Sequence, residues 1–192
     1  MIKKGIILAG GSGTRLSPLT KSVNKQLLPI HDKPMIFYPL SVMMLANIRN
    51  ILMIVNPGQI ENFKSLLGDG SRYGIEIVYK VQDKPRGLPD AFILGKTFID
   101  KDNVALILGD NFFYGQSLTK KLEKSSTHKS GATIFLKEVS SPENYGVAKI
   151  KKKKIEKIVE KPKKFVSNNA ITGLYFFDKN VSDYASKLKK SK

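Results

Sequence analysis

Three stretches of the 192-residue chain carry residue types whose spacing could do phosphate chemistry. The first is Leu8-Ala9-Gly10-Gly11-Ser12-Gly13-Thr14-Arg15-Leu16. Its glycines lack side chains, so backbone N–H groups can approach phosphate oxygens closely. Arg15 adds a permanent cation with a forked set of donors. Two familiar phosphate loops are excluded. No Gly-Lys-Ser/Thr completes a Walker A loop, and Leu16 stands where a dinucleotide fingerprint counted from Gly11 needs its last glycine. The second stretch is Lys25-Gln26-Leu27-Leu28-Pro29. A lysine beside a phosphate loop can offset charge developing on the reacting phosphorus. The third is Leu108-Gly109-Asp110-Asn111. Carboxylate oxygens are the donors that Mg²⁺ prefers, alongside water and substrate phosphates. Taken singly, each has a plainer alternative: a strand-to-helix turn, one surface lysine among 29, and an Asp capping the segment that follows it.

The elements around these stretches give them a common place. The apolar run Ile6–Ala9, ended by Gly10-Gly11, predicts a buried parallel strand feeding the loop. Pro34–Ala46 predicts a buried helix and Ile51–Val55 a second strand, stopped by Asn56-Pro57-Gly58. Ile60–Leu67 predicts a helix, Ile75–Val81 a strand, Ala91–Phe98 a short helix and Val104–Leu108 a buried strand ending at Asp110. This βαβαβαβ pattern predicts an α/β fold with a doubly wound parallel sheet. Such sheets hold ligands beyond the carboxyl ends of their strands, where the glycine loop and Asp110 fall. After a helix at Leu118–Glu123, the segments Ala132–Val139, Gly146–Ile150, Ile155–Val159 and Ile171–Phe177 read as strands of a mixed sheet extending the first. Lys151–Lys154 reads as a solvated hairpin turn. No repeat or linker divides the chain, so a single domain over residues 1–192 is expected.

Charge points elsewhere at first sight. Lys and Arg total 33 against 16 Asp and Glu, a net charge of +17, which invites a nucleic-acid reading. Its distribution argues against that. Residues 1–112 hold 14 basic and 9 acidic side chains, and residues 113–192 hold 19 and 7. Only four of the basic residues are Arg, the type suited to bidentate base readout. A lysine surplus on solvated faces, with Lys187, Lys189, Lys190 and Lys192 at the end, is the simpler account, and no nucleic-acid partner is expected. The absence of Cys excludes disulfides, thiolate zinc sites and thiol catalysis. The apolar run Gly5–Ala9 is too short for a secretory or membrane-spanning segment, so a soluble cytoplasmic protein with no membrane partner is expected.

These three stretches do not stand alone. Lys33-Pro34-Met35-Ile36, Leu67-Gly68-Asp69-Gly70-Ser71, Tyr145-Gly146-Val147, Glu160-Lys161-Pro162 and Thr172-Gly173-Leu174-Tyr175 occur with them. Together, in order and from Met1 to Leu188, they resemble the sugar-phosphate nucleotidylyltransferases, most closely the branch using dTTP and glucose 1-phosphate. The resemblance implies a Rossmann-like nucleotide-diphospho-sugar transferase fold. It also implies in-line attack of a sugar-phosphate oxygen on the α-phosphorus of dTTP, giving dTDP-glucose for deoxysugar synthesis and releasing pyrophosphate. Catalysis would then be positioning and charge stabilisation.

The resemblance further implies catalytic roles for Arg15, Lys25, Asp110 and Lys161. The Gly10, Gly11, Ser12, Gly13 and Thr14 backbone would cradle the nucleotide phosphates, and Arg15 and Lys25 would neutralise them. Gln26 would belong to the nucleotide site. Gln82 and Gly87 would contact the thymine, with Leu8 and Leu88 packing near it. Asp110 would ligate Mg²⁺. Asn111, Tyr145, Gly146, Glu160 and Ile171 would shape the glucose site, and Lys161 would hold the sugar phosphate. A homo-oligomer is implied as well.

The sequence also departs from this family. Family members continue past Lys192 through a Trp-Leu-Asp-Thr-Gly segment whose Asp is a second Mg²⁺ ligand, and this chain, lacking that C-terminal part, has no Trp. That motivates a second reading: an inactive nucleotide-binding remnant, or half of a split enzyme completed by a second chain. Near the base site, Pro89-Asp90 stands where the family usually has Ala-Gln, and Arg86 where an acidic or small residue is common. Asp90 is expected to be mildly unfavourable beside an anionic nucleotide.

Overall fold

A computed structural model describes every residue except Ser12, Pro85, His128, Lys153 and residues 189–192. The chain forms two compact units, one of Met1–Thr133 with Phe176–Lys192 and one of Ile134–Tyr175.

In the first unit β1 (Lys4–Ala9) runs into the glycine loop. A two-residue ladder of β2 (Pro29–Ile30) against β3 (Lys33–Pro34) follows. Then come α1 (Phe37–Leu45), β4 (Asn50–Val55), α2 (Ile60–Leu67) and β5 (Glu76–Val81). Two short helices, α3 (Pro89–Leu94) and α4 (Lys96–Ile99), precede β6 (Val104–Leu108) and α5 (Leu118–Ser126). The strands pair in parallel in the order β5-β4-β1-β6. Ile6, Ile7, Leu52, Met53, Ile54, Leu106 and Ile107 are sealed from solvent, as strands covered on both faces require.

The register has a direct consequence for the loops. Ala9 lies beside Val55 and Val55 beside Val81, while Leu8 lies beside Leu108. Gly10, Asn56 and Gln82 therefore leave the sheet side by side at its carboxyl edge, with Gly109 and Asp110 one strand further on.

Two expected helices differ in extent. Pro34 lies outside α1, because Met35 and Ile36 donate their N–H groups to the carbonyls of Leu28 and Gln26, which holds the chain against the preceding segment until Phe37. The helix expected over Ala91–Phe98 starts earlier, with Pro89 in its first turn, and is divided at Gly95. A Cβ on Gly95 would sit 3.1 Å from both Ile6 Cδ1 and Leu52 Cδ2. The glycine is what lets the helical segment press onto the sheet. A further helix, α6 (Val181–Lys187), belongs to this unit and was not expected.

The second unit is antiparallel. After β7 (Ala132–Glu138), which begins in the first unit, β8 (Gly146–Lys151) pairs with β9 (Lys154–Glu160) and also with β10 (Asn169–Phe177), where Ala170 faces Val147. The hairpin turn falls at Lys151–Lys154 as the sequence predicts, with Lys153 outside the described residues. Val147 and Ala148 are buried, whereas β9 is solvent-facing for almost its whole length. Lys149 and Lys151 both pair with Glu156, at 2.9 and 3.7 Å.

Candidate functional site

In the first unit the site grows out of the end of β1. Gly11 and Gly13 adopt left-handed backbone, at φ 106° and 59°, where a side chain would strain the chain. A Cβ on Gly13 would come within 2.8 Å of Thr20 Cγ2 and 3.3 Å of Lys25 Cβ, so the loop closes tightly over the next segment. Amide side chains hold its shape. Asn56 accepts from the Gly11 N–H at 3.0 Å and donates back to the Gly11 carbonyl at 2.9 Å. Gln26 donates to the Gly10 carbonyl at 3.2 Å, and Asn24 donates to the Ala9 carbonyl at 3.4 Å while accepting from the Gln26 N–H at 2.9 Å. Thr20 donates its hydroxyl to the Gly13 carbonyl. The Gly10, Gly11 and Gly13 carbonyls are thus engaged, and the Gly11 N–H is taken by Asn56, so an anion would be met by other N–H groups of the loop. Ser12 lies outside the described residues.

Lys25 bridges the loop to the end of β6, its Nζ standing 2.7 Å from Asp110 Oδ2. Both side chains are about one-third exposed, so each remains reachable from solvent. Among the described residues no three His, Asp or Glu side chains gather as a ready-made metal cage. The donor set offers one hard carboxylate, which fits a Mg²⁺ that completes its shell with phosphate oxygens and water. Gln26 Oε1 is buried and has no hydrogen-bond partner among the described residues. A buried acceptor left unpaired costs about 1–3 kcal/mol, which a ligand donor would recover.

Gln82 is nearly buried. Its Nε2 donates to Asp90 Oδ2 at 2.7 Å, and its Oε1 faces Gly10, 3.4 Å from where a Cβ there would stand. Asp90 thus stands in a buried pair with Gln82. Gly87 takes φ 87° in the turn that starts α3. Leu88 lines an apolar cavity of about 380 Å³ with Pro89, Phe92, Phe177, Val181 and Tyr184. Leu8 is half-buried in β1, Asn111 donates its backbone N–H to Leu108, and Thr14 and Arg15 stand in an exposed single turn after Gly13.

The second unit brings together the other expected residues. Gly146 and Glu160 face each other across the β8–β9 ladder. A Cβ on Gly146 would lie 2.7 Å from Glu160 Oε2 and 3.9 Å from Ile171 Cδ1, so the carboxylate rests in space that only glycine leaves open. Just beyond the ladder, Lys161 donates its N–H to the Tyr145 carbonyl at 3.0 Å and is held at φ 41°. A non-glycine residue there is strained by roughly 1 kcal/mol or more, a cost usually met where a side chain must be aimed. Burial pushes the Tyr175 phenol above its ordinary value, and the negative charge of Glu160 adds to this. Tyr175, at the end of the Thr172-Gly173-Leu174-Tyr175 motif, is a neighbour of Glu160 that sequence reasoning did not single out as a site residue. Asn24 and Asn56 were likewise missed. Asn56 had read only as a strand stop, although Asn-Pro-Gly directly after a buried strand could have marked it.

The nucleotidyl transferase family matches residues 4–192. The chain is 54% identical over 189 residues to the glucose-1-phosphate thymidylyltransferase of Neisseria meningitidis serogroup A, covering 98% of this chain and 66% of that protein. It is 48% identical to the protein of the same name from Mycobacterium tuberculosis, covering 98% and 65%. The chain therefore spans just under two thirds of the length of these curated relatives. Among solved structures, a Bacillus anthracis protein described as a glucose-1-phosphate thymidylyltransferase, in complex with sucrose, superposes with a TM-score of 0.90 at 40% identity, over 97% of this chain and 75% of that one. A UDP-glucose pyrophosphorylase complexed with UDP-glucose superposes with a TM-score of 0.84 at 25% identity, over 100% and 81%.

Proposed function

Since the chain belongs to the nucleotidyl transferase family, we propose that it transfers a thymidylyl group from dTTP to glucose 1-phosphate, giving dTDP-glucose and pyrophosphate. The observation that carries this reading is the glycine loop clamped by Asn56 and Gln26 beside the Lys25–Asp110 pair, all at the carboxyl edge of the parallel sheet. The backbone of Gly10–Thr14 receives the triphosphate, and Arg15 adds a second cation. Lys25 exchanges Asp110 for phosphate oxygens. An exposed ion pair is worth only about 0–1 kcal/mol, so this exchange costs little. Asp110 would hold Mg²⁺, which would neutralise phosphate charge. Gln82, with Gly87, Leu8 and Leu88, receives the base, and Gln26 offers its spare acceptor to the nucleotide.

In the second unit Glu160 accepts sugar hydroxyls, with Gly146, Tyr145 and Ile171 around it, and Lys161 holds the sugar phosphate. Asn111 completes the sugar-phosphate set. A cytoplasmic location and a homo-oligomeric assembly belong to the same proposal, and among the described residues no helix is long and apolar enough to cross a membrane.

The test is pyrophosphate release from dTTP, glucose 1-phosphate and Mg²⁺ by the 192-residue chain. Turnover that requires all three supports the reading. Tight dTTP binding without turnover would replace it with that of a nucleotide-binding remnant.

A further inference from the structure

The buried pair of Gln82 and Asp90 has a chemical asymmetry. A glutamine amide presents a donor and an acceptor of nearly equal size, and nothing in its shape decides which faces a ligand. A neighbouring carboxylate decides it, because a carboxylate accepts and does not donate. Asp90 Oδ2 takes the Gln82 Nε2 donor at 2.7 Å, and both side chains are 7% exposed, so water offers little competition. The carbonyl Oε1 is left on the side of Gly10, whose missing side chain leaves it room. Each residue is fixed from its own side. The Gln82 N–H is tied to the Val55 carbonyl at the end of the sheet, and Asp90 lies in the first turn of α3 behind Pro89.

From this we infer that Asp90 is a positioning residue that locks the Gln82 amide with its acceptor toward the nucleotide base, and so selects bases carrying an N3–H. This rests on the nucleotide reading of the loop beside Gly10. Thymine and uracil present N3–H as a donor, which Oε1 accepts. Cytosine presents a bare N3 acceptor, which would meet Oε1 lone pair to lone pair. A side chain at position 90 able both to donate and to accept would leave the Gln82 amide free to turn over, so a carboxylate there sharpens base choice.

The experiment measures binding of dTTP, dCTP and N3-methyl-dTTP to the wild-type chain and to Asp90→Asn and Asp90→Ala, with circular dichroism to establish folding. The wild type should bind dTTP at least tenfold more tightly than either analogue, the size of one misplaced hydrogen bond. Asp90→Asn, nearly isosteric and able to donate, should lower the dTTP-to-dCTP ratio by roughly tenfold, mainly through a gain in dCTP binding. Equal wild-type binding of dTTP and N3-methyl-dTTP overturns the inference whatever the variants do, as does an unchanged dTTP-to-dCTP ratio in a folded variant. If the wild type binds no nucleoside triphosphate, the nucleotide reading itself falls and the inference with it. Normal dTTP binding with an unaltered ratio sinks the role of Asp90 alone.

Discussion

The two units hold their functional side chains by opposite means. In the first, candidate residues sit on loops that leave a fully buried parallel sheet, and the loops are shaped by amide side chains from elsewhere in the sequence: Asn56 on Gly11, Gln26 on Gly10, Asn24 on Ala9. In the second, Gly146 and Glu160 are paired by the register of a largely exposed antiparallel ladder. The difference teaches where each half is vulnerable. The first depends on side chains that a substitution can remove while the sheet survives. The second depends on one missing Cβ and on keeping register.

The largest effect expected from this contrast is catalytic. Asp110→Asn keeps the shape but weakens the one hard donor beside Lys25, and pyrophosphate release should fall by about 10²-fold or more. Near-normal turnover in that variant would remove Asp110 from the chemistry. Next in size is stability. Ile54→Ala hollows out a sealed strand of the first unit and should cost about 2–5 kcal/mol in urea unfolding. Ile158→Ala, at a position 53% exposed in the second, should change it by no more than about 0.5 kcal/mol. Similar costs at both positions would contradict the division into a sealed sheet and an exposed ladder.

Smaller again is a reciprocal pair of binding effects. Asn56→Ala removes both hydrogen bonds to Gly11 and should weaken dTTP roughly tenfold while leaving the KM for glucose 1-phosphate unchanged. Gly146→Ala should do the reverse. Its new Cβ would stand 2.7 Å from Glu160 Oε2, the tip of a flexible side chain, so the carboxylate swings aside at little cost in stability and the KM for the sugar phosphate rises. If either variant disturbs both substrates equally, the two halves are not held independently.

The same contrast explains what was legible in the sequence. Strands β1, β4 and β6 could be read almost residue for residue, because burial on both faces leaves unbroken apolar runs. The glycine loop, Lys25 and Asp110 could be read because glycine after a buried strand, and charge beside it, are local signals. Asn56 and Asn24 could not, since their effect lies in contacts reaching 45 and 15 residues along the chain. Asp90 was visible as a departure, but its hydrogen bond to Gln82, eight residues back along the chain, was not. The break at Gly95 was hidden for a similar reason: only the sheet packed beneath it shows why a helix should be interrupted there. Glu160 and Lys161, on an exposed strand end, look like any surface ion pair, and only resemblance picked them out.

The smallest effect tests the contrast with one residue type. Each unit has a tyrosine near a carboxylate: Tyr79 on β5, with Asp69, and Tyr175 on β10, with Glu160. Burial pushes the Tyr79 phenol up to about 12 from 10.0, and the charge of Asp69 adds to this, while its hydroxyl donates to the Gly68 carbonyl at 2.7 Å. A phenol raised in the folded state contributes stability that is complete below the unfolded value near 10 and is lost as pH climbs toward 12. Tyr79→Phe should cost about 1 kcal/mol at neutral pH for the lost hydrogen bond and should flatten part of the stability loss between pH 10 and 12, with no change in the KM for glucose 1-phosphate. Tyr175→Phe should also flatten part of the alkaline loss, but because its partner Glu160 is the carboxylate we propose for the sugar site, it should shift that KM as well. Urea unfolding across this pH range, paired with the two KM values, separates a tyrosine that only holds a strand edge from one that borders a binding carboxylate. An unchanged sugar KM in Tyr175→Phe would leave Glu160 indifferent to its neighbour and reduce the contrast between the units to one of burial alone.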